Sequence, residues 1–410
     1  MIFRLINRLF PILNQSKFVI IPLLIVSVTL ACLSGNRLRF PDEVDYHQLG
    51  QSLTAGNGFS LQTGEATVYR PPGYPFFLSP LYHVCNAPLT GKLANTLLLA
   101  ISVWLMCRIT KNSLPGLFVF AYPILLFTAS TLYPQTLGTF LLLGIIWLLL
   151  YPEQRNRALI LSGLCLGFLI LNIPAFLLTA PVLAWILYRH EKGPVFQRLA
   201  RVCLLSVCTL LVVLPWTWRN YKTFDAFLPI SANSGLNLFF GNSPHTGPNT
   251  GVNVDRTAVL VAVEDMNEIE TDHYYRDQAL EWIRTHPVDA AKLYAAKAVN
   301  YFNFKNELKT TSQSSTLKNA LMFVTWTPLL GLFVIRLFFY KKYPLSELEK
   351  AIYLLVICNV FLSAIFFTRI RFRLPFDMLM ILSNSIFAGA YLQDRGFFAH
   401  KPLTTPENCL

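Results

Sequence analysis

Three groups of charged residues, set in an otherwise apolar chain, have the types and spacing to do chemistry. The first lies in Phe40-Pro41-Asp42-Glu43-Val44-Asp45-Tyr46. Proline suits the first turn of a helix and acids complement its positive end, so the run reads as a helix start. A carboxylate held there, close to a bilayer, can act as a general base. The second is Arg70, in Tyr69-Arg70-Pro71-Pro72-Gly73-Tyr74-Pro75, downstream of Gly50 and Gly56-Asn57-Gly58-Phe59. The third is Thr368-Arg369-Ile370-Arg371-Phe372-Arg373-Leu374-Pro375. Guanidinium forks match phosphate geometry, and arginines beside hydrocarbon are costly unless they pair or snorkel. Taken singly, these groups also have ordinary readings as a solvated turn, a headgroup anchor and a snorkelling belt.

The elements that must position them follow from composition. Of 410 residues, 54% are hydrophobic and only 14% are charged, where a soluble domain carries about 25% charged residues. The bilayer is therefore the natural solvent. A span needs about 20 mostly apolar residues to cross about 30 Å of hydrocarbon. Ten segments qualify, at roughly 17–35, 92–109, 114–132, 135–151, 157–173, 174–189, 202–218, 319–340, 350–368 and 374–392. The run 74–85 is short and interrupted by Pro75 and Pro80. If it does not cross, the cytoplasmic side collects Arg108/Lys111, Arg155/Arg157, Arg189/Lys192/Arg198/Arg201, Lys341/Lys342 and Arg395/Lys401. The positive-inside rule thus predicts ten spans with both ends in the cytoplasm and 74–85 as an interfacial or re-entrant helix. The chain divides into an N-terminal transmembrane module, 1–218, with a first outer loop at 36–91, then an outer helical region, 219–318, then C-terminal spans and a short tail, 319–410. Within 264–305 the apolar residues recur at helical spacing, with a break at His286-Pro287.

This topology puts all three charged groups on the outer face, the 369–373 cluster against the positive-inside trend. Carboxylate and several arginines at a lipid boundary suit sugar transfer from a polyprenyl-phosphate carrier. The arginines would hold the phosphate and stabilise the charge it gains on leaving. The carboxylate would take the proton of an attacking hydroxyl. The net charge of +12 is the excess expected of cytoplasmic loops, and no basic run is interleaved with stacking aromatics, so nucleic acid is excluded as a partner. Most cysteines fall in apolar spans and none has zinc-site spacing; only Cys85 and Cys409 lie elsewhere. Arg4, Arg8 and Lys17 before the apolar run 18–33 resemble a signal peptide, but the run is long for one and reads as a retained first span.

In order and spacing the motifs resemble those of membrane glycosyltransferases of the C-type fold, in the branch of protein O-mannosyltransferases and lipid A aminoarabinose transferases. The residues that carry the likeness are Pro41-Asp42-Glu43 with Tyr46, Arg70-Pro71-Pro72-Gly73-Tyr74-Pro75, Trp218-Arg219-Asn220-Tyr221, Pro229-Ile230-Ser231, Asn237-Leu238, Gly241-Asn242 and Arg371-Phe372-Arg373-Leu374-Pro375. The resemblance implies an all-α polytopic enzyme of the bacterial plasma membrane. Such an enzyme moves a hexosyl or pentosyl group, with inversion, from a polyprenyl-phosphate sugar to a glycan, lipid or protein acceptor on the outer face. It makes Asp42 the candidate base with Glu43 beside it, and Arg70, Arg371, Arg373 and Arg369 the phosphate-binding residues. Tyr46, Tyr74, Arg219, Asn237 and Asn242 become candidate substrate contacts, the two asparagines through sugar hydroxyls. Some family members bind a divalent metal. Many carry a second acid where this chain has Gln135, which puts a second carboxylate and a metal in doubt. His245, Glu264, Asp265, Asp272 and His273 are the remaining candidate ligands, at spacings that match no metal motif.

Two other readings use the same residues. A flippase or transporter of lipid-linked sugars would bind the donor without turnover and would show charged or broken helices within spans; the expected spans are almost free of charge. A non-catalytic assembly protein is the other, and Gln135 favours it.

Overall fold

The structure, a computed structural model, describes residues 16–61, 64–152, 154–306 and 315–396. Arg4, Arg8, Lys401 and Cys409 lie outside the described residues. The described chain is all-α, with one isolated bridge between Ser60 and Ala66.

The first half runs α1 (Lys17–Ser34), α2 (Pro41–Thr54), α3 (Gly73–Val84), α4 (Pro88–Thr110), α5 (Leu114–Phe120), α6 (Pro123–Ala129), α7 (Gln135–Leu150), α8 (Arg155–Asn172), α9 (Phe176–His190) and α10 (Val195–Phe224). The second half has α11 (Ser234–Gly241), α12 (Thr257–Leu260), α13 (Glu268–Thr285), α14 (Pro287–Asn300), α15 (Thr316–Phe338), α16 (Glu347–Ile365) and α17 (Ile370–Asp394). Among the described residues, five helices, α1, α4, α10, α15 and α16, are long and apolar enough to cross a membrane. They leave Ile25, Leu211, Leu214, Val324 and Phe361 exposed, an arrangement stable against lipid and not against water. The protein is an integral, multi-pass membrane protein.

Helix α3 has 12 residues, about 18 Å at 1.5 Å per residue, too short to cross. The segment 114–132, expected to be one span, is two short helices. Pro123 has no N–H and disfavours helical geometry at Tyr122, which sits at φ −119°, ψ 79°. Between α13 and α14 the break falls at His286, before Pro287.

Helix α17 is the axis of the bundle, packing against α4, α5, α7, α15 and α16. From Arg373 to Ser385 every residue is buried. A helix buried on all sides shows no polar face; of the buried polar residues here, Asn384 donates to the Leu329 carbonyl and Ser385 to that of Ile381. Helix α8 lies close along α10 because Gly163 and Gly167 are one turn apart on its contact face. A Cβ at Gly163 would lie 2.5 Å from Cys208 Cβ, and one at Gly167 would lie 2.6 Å from Val212 Cβ. Small residues let helix backbones approach in lipid, where no hydrophobic effect drives them together. Gly163→Leu or Gly167→Leu is expected to destabilise the protein by about 1–3 kcal/mol through overpacking. Thermal melting in detergent checks this; an unchanged midpoint contradicts the close contact.

Candidate active site

The sequence places Asp42 and Asp45 three residues apart near the start of α2, so their side chains share one face. That face meets the segment leading into α3, and Arg70 reaches across to both acids. Its Nη2 is 2.7 Å from Asp42 Oδ1, and its Nε donates to Asp45 Oδ2 at 2.8 Å. From the start of α17, Arg371 Nη1 donates to the other Asp42 oxygen, Oδ2, at 2.7 Å. The same nitrogen donates to the Tyr133 hydroxyl at 2.8 Å. Asp42 is therefore a bridge between two arginines that are 301 residues apart in the chain.

Aromatic rings frame this bridge. The Arg70 guanidinium lies 4.8 Å from the Tyr69 ring centroid and 5.9 Å from that of Tyr46. Arg371 lies 5.0 Å from the Tyr133 ring, and Tyr46 meets Tyr74 edge-on at 5.4 Å. Cations over ring faces are stabilised, more so as water is excluded. Burial alone would raise the Asp42 carboxyl, but Arg371 and Arg70 outweigh it and hold the group below the ordinary aspartate value. Burial opposes the charge on Arg70, and Asp42 above all restores it, leaving the guanidinium above its usual value. Burial pushes the Tyr46 hydroxyl up to about 12, so it stays protonated. The site can bind an anion between two fixed cations and holds a carboxylate at the same place.

No protein-family model matches the chain, and no curated protein matches it. Among solved structures it is similar to ArnT from Cupriavidus metallidurans bound to undecaprenyl phosphate, at 13% identity and a TM-score of 0.43, with 93% of this chain and 80% of that chain covered. It is also similar to ArnT from the same organism in the apo state, at 14% identity and a TM-score of 0.42, over 90% of this chain and 75% of that chain. A likeness of this strength assigns no residue of this chain a role.

Several candidates from the sequence stand elsewhere. Glu43 is fully buried, and both its oxygens are occupied by backbone N–H groups, Oε1 by Arg39 at 3.1 Å and Oε2 by Leu132 at 2.9 Å. It ties α2 to the turn before α7 and does not face the arginines. Arg373 also points away from Asp42. It donates to the carbonyls of Tyr301 at 2.6 Å and Asn303 at 2.9 Å, and stacks 3.6 Å from the Trp326 ring. Its Nε lies 2.8 Å from Asp377 Oδ1, and the Tyr122 hydroxyl donates to Asp377 Oδ2 at 3.0 Å. Arg369 Nη2 donates to the Thr250 carbonyl at 2.7 Å, fastening a loop. Of the three arginines, Arg371 alone reaches Asp42.

The proposed sugar contacts divide similarly. Arg219 holds the carbonyls of Thr67 at 3.0 Å and Phe59 at 3.3 Å. The buried Tyr74 hydroxyl accepts from Asn95 at 2.8 Å. Asn242 Nδ2 donates to the Leu238 and Ile365 carbonyls, each at 2.9 Å, and its Oδ1 accepts from the buried Lys297 at 3.2 Å. Burial pulls the Lys297 amine down to about 7. These three candidates are structural struts. Asn237 is half-buried on α11 and remains a candidate contact.

Asp45 and Tyr133 join the site, and Asp377 and Tyr122 join Arg373 in the bundle. Asp45 had its i,i+3 relation to Asp42 as a signal, and Asp377 its i,i+4 relation to Arg373. Tyr122 was flagged by Pro123 after it, and Tyr133 had no signal beyond its outer position. Asp377 is one of the few charges within the expected spans, inside the segment 374–392.

A divalent metal does not fit these residues. Among the described residues no group of three or more His, Cys, Asp or Glu is placed to hold one. The two carboxylates that face the site are already matched by arginine, and a cation between two guanidinium groups would be repelled. Asp272, a candidate ligand, instead accepts from the backbone N–H groups of Gly235 at 2.7 Å and Leu236 at 3.0 Å, at the start of α11.

Proposed function

We propose that the protein is a membrane glycosyltransferase that moves a sugar from a polyprenyl-phosphate carrier to an acceptor hydroxyl, with its site on the extracytoplasmic face. The observation that carries this reading is the bridge at Asp42, where a carboxylate and two arginines from three separate elements meet at 2.7 Å. The sidedness rests on the distribution of Lys and Arg among the connections.

In the proposed reaction Arg70 and Arg371 bind the phosphate oxygens of the donor. Asp42 accepts the proton of the acceptor hydroxyl as its oxygen bonds to the anomeric carbon, from the face opposite the phosphate. The bond from that carbon to the phosphate oxygen breaks, and its electron pair leaves with polyprenyl phosphate. The arginines neutralise the charge that develops there, and configuration is inverted. Asp45 and Tyr133 keep the arginines aimed.

Arg70→Gln and Arg371→Gln are each expected to weaken binding of undecaprenyl phosphate by roughly 10- to 150-fold, the worth of one charged hydrogen bond. Fluorescence or calorimetric titration in detergent measures this. Unchanged binding in both variants, or no preference for the phosphate over undecaprenol, would remove the proposal.

A flippase of lipid-linked sugars is the second reading. The break at Tyr122-Pro123 and the buried Arg373–Asp377 pair beside it favour that reading. The pair sits on α17 inside the bundle and the break lies beside it, where a transporter would place them. Turnover separates the two: a flippase binds the donor and returns it intact.

A further inference from the structure

In the proposed reaction the carboxylate that must take a proton is the same one that, without donor, is held by both phosphate-binding arginines. Asp42 gives one oxygen to Arg70 and the other to Arg371. A carboxylate so held is a poor base, because its charge is stabilised by both neighbours. It also occupies the position an incoming phosphate needs.

Each arginine has a second partner that does not depend on Asp42. Arg70 is gripped by Asp45 through both Nε and Nη2, at 2.8 and 2.7 Å. Arg371 donates to the Tyr133 hydroxyl. Arg70 is further confined by the rings of Tyr69 and Tyr46, and Arg371 by those of Tyr133 and Phe372. If Asp42 lets go, neither guanidinium loses its anchor. What remains is two adjacent cations, one half-matched by Asp45 and the other without a carboxylate. A tetrahedral phosphate with several acceptor oxygens suits that pair.

We infer that Asp42 is a built-in occupant of the phosphate site, and that the donor's phosphate displaces it from Arg70 and Arg371, releasing the base only when the donor is bound. This rests on the proposed glycosyl-transfer reading and adds an order to it, donor before deprotonation of the acceptor. The exchange is carboxylate for phosphate at the same two arginines, with no bond made or broken. It leaves Asp42 beside a bound anion in place of two cations, so its affinity for a proton rises at the step that needs a base.

The test compares binding of undecaprenyl phosphate, undecaprenol and inorganic phosphate to purified full-length protein in detergent. Wild type, Asp42→Asn, Asp42→Ala and Asp45→Asn are measured side by side. A tethered competitor that occupies the site nine-tenths of the time weakens apparent affinity about tenfold. Both Asp42 variants are therefore expected to bind undecaprenyl phosphate about tenfold or more tightly than wild type. Asp45→Asn, which loosens Arg70 without vacating the site, is expected to show no gain. Inorganic phosphate is expected to follow the same order of variants at weaker affinity, because the exchange is made at the headgroup. Equal or weaker binding by folded Asp42→Asn and Asp42→Ala, with wild type still preferring phosphate over alcohol, overturns the displacement and leaves the transferase reading intact. An equal gain in Asp45→Asn also overturns it, since a general field effect would then suffice. Wild type that binds undecaprenol as well as its phosphate overturns the transferase reading itself.

Discussion

Asp42→Asn is expected to lower the turnover number by about 100- to 10,000-fold at saturating donor, the usual range for loss of a general base. Asparagine keeps the shape, but it offers one acceptor oxygen where the carboxylate gives Oδ1 to Arg70 and Oδ2 to Arg371, and it cannot take a proton. The loss should appear in kcat, with donor affinity undiminished or higher. Neutralising Arg70 or Arg371 should instead appear first in donor binding, so the two classes of variant separate the proton-transfer step from phosphate recognition. Activity of Asp42→Asn within about tenfold of wild type would mean that no general-base step passes through this carboxylate. Glu43 gives the internal control, because its oxygens serve the backbone at Arg39 and Leu132 and its loss should be felt in stability.

The second large effect concerns the axis helix. Arg373→Leu removes the cation from a pair in which both side chains are essentially inaccessible, 1% and 0% exposed. It leaves the Asp377 carboxylate in the bundle with the Tyr122 hydroxyl as its remaining partner, and it orphans the carbonyls of Tyr301 and Asn303. Breaking a buried ion pair from one side costs about 3–5 kcal/mol. The expected result is a large drop in the melting midpoint in detergent. The double variant Arg373→Leu/Asp377→Leu should recover part of the loss, because it removes the stranded charge as well. A single variant as stable as wild type, or a double variant less stable than the single, contradicts this account of α17.

Much of the architecture could be read from the sequence because charge is expensive in an apolar chain and its placement is therefore informative. The helices follow the expected spans closely where the apolar run is uninterrupted, as in α1, α4, α15 and α16, whereas α10 extends beyond 202–218 at both ends. Topology placed Asp42, Arg70 and Arg371 on one face and the motif resemblance implied a common site; the contact itself is seen in the structure. What escaped was helix phase. Successive residues turn by about 100°, so Asp42, Asp45 and Tyr46 share a face of α2 that Glu43 does not. By the same rule Arg371 and Arg373 point about 200° apart once α17 begins at Ile370. One can face the outer site while the other turns into the bundle. Treating 369–373 as a loop concealed this, since phase has no meaning in a loop. The break at Tyr122 was signalled by Pro123, but Ala121-Tyr122 lies in an otherwise continuous apolar run, and hydropathy averages over such a point. The struts at Asn242, Arg219 and Lys297 depend on carbonyl groups from distant segments, which no local pattern announces.

Incubation of the purified protein with a labelled polyprenyl-phosphate sugar, in the presence of membrane extract as acceptor source, tests the central claim most directly. The account predicts release of unlabelled polyprenyl phosphate together with label on an acceptor or as free sugar, lost in Asp42→Asn. Donor that is bound by wild type, sensitive to Arg70 and Arg371, and recovered intact would contradict it.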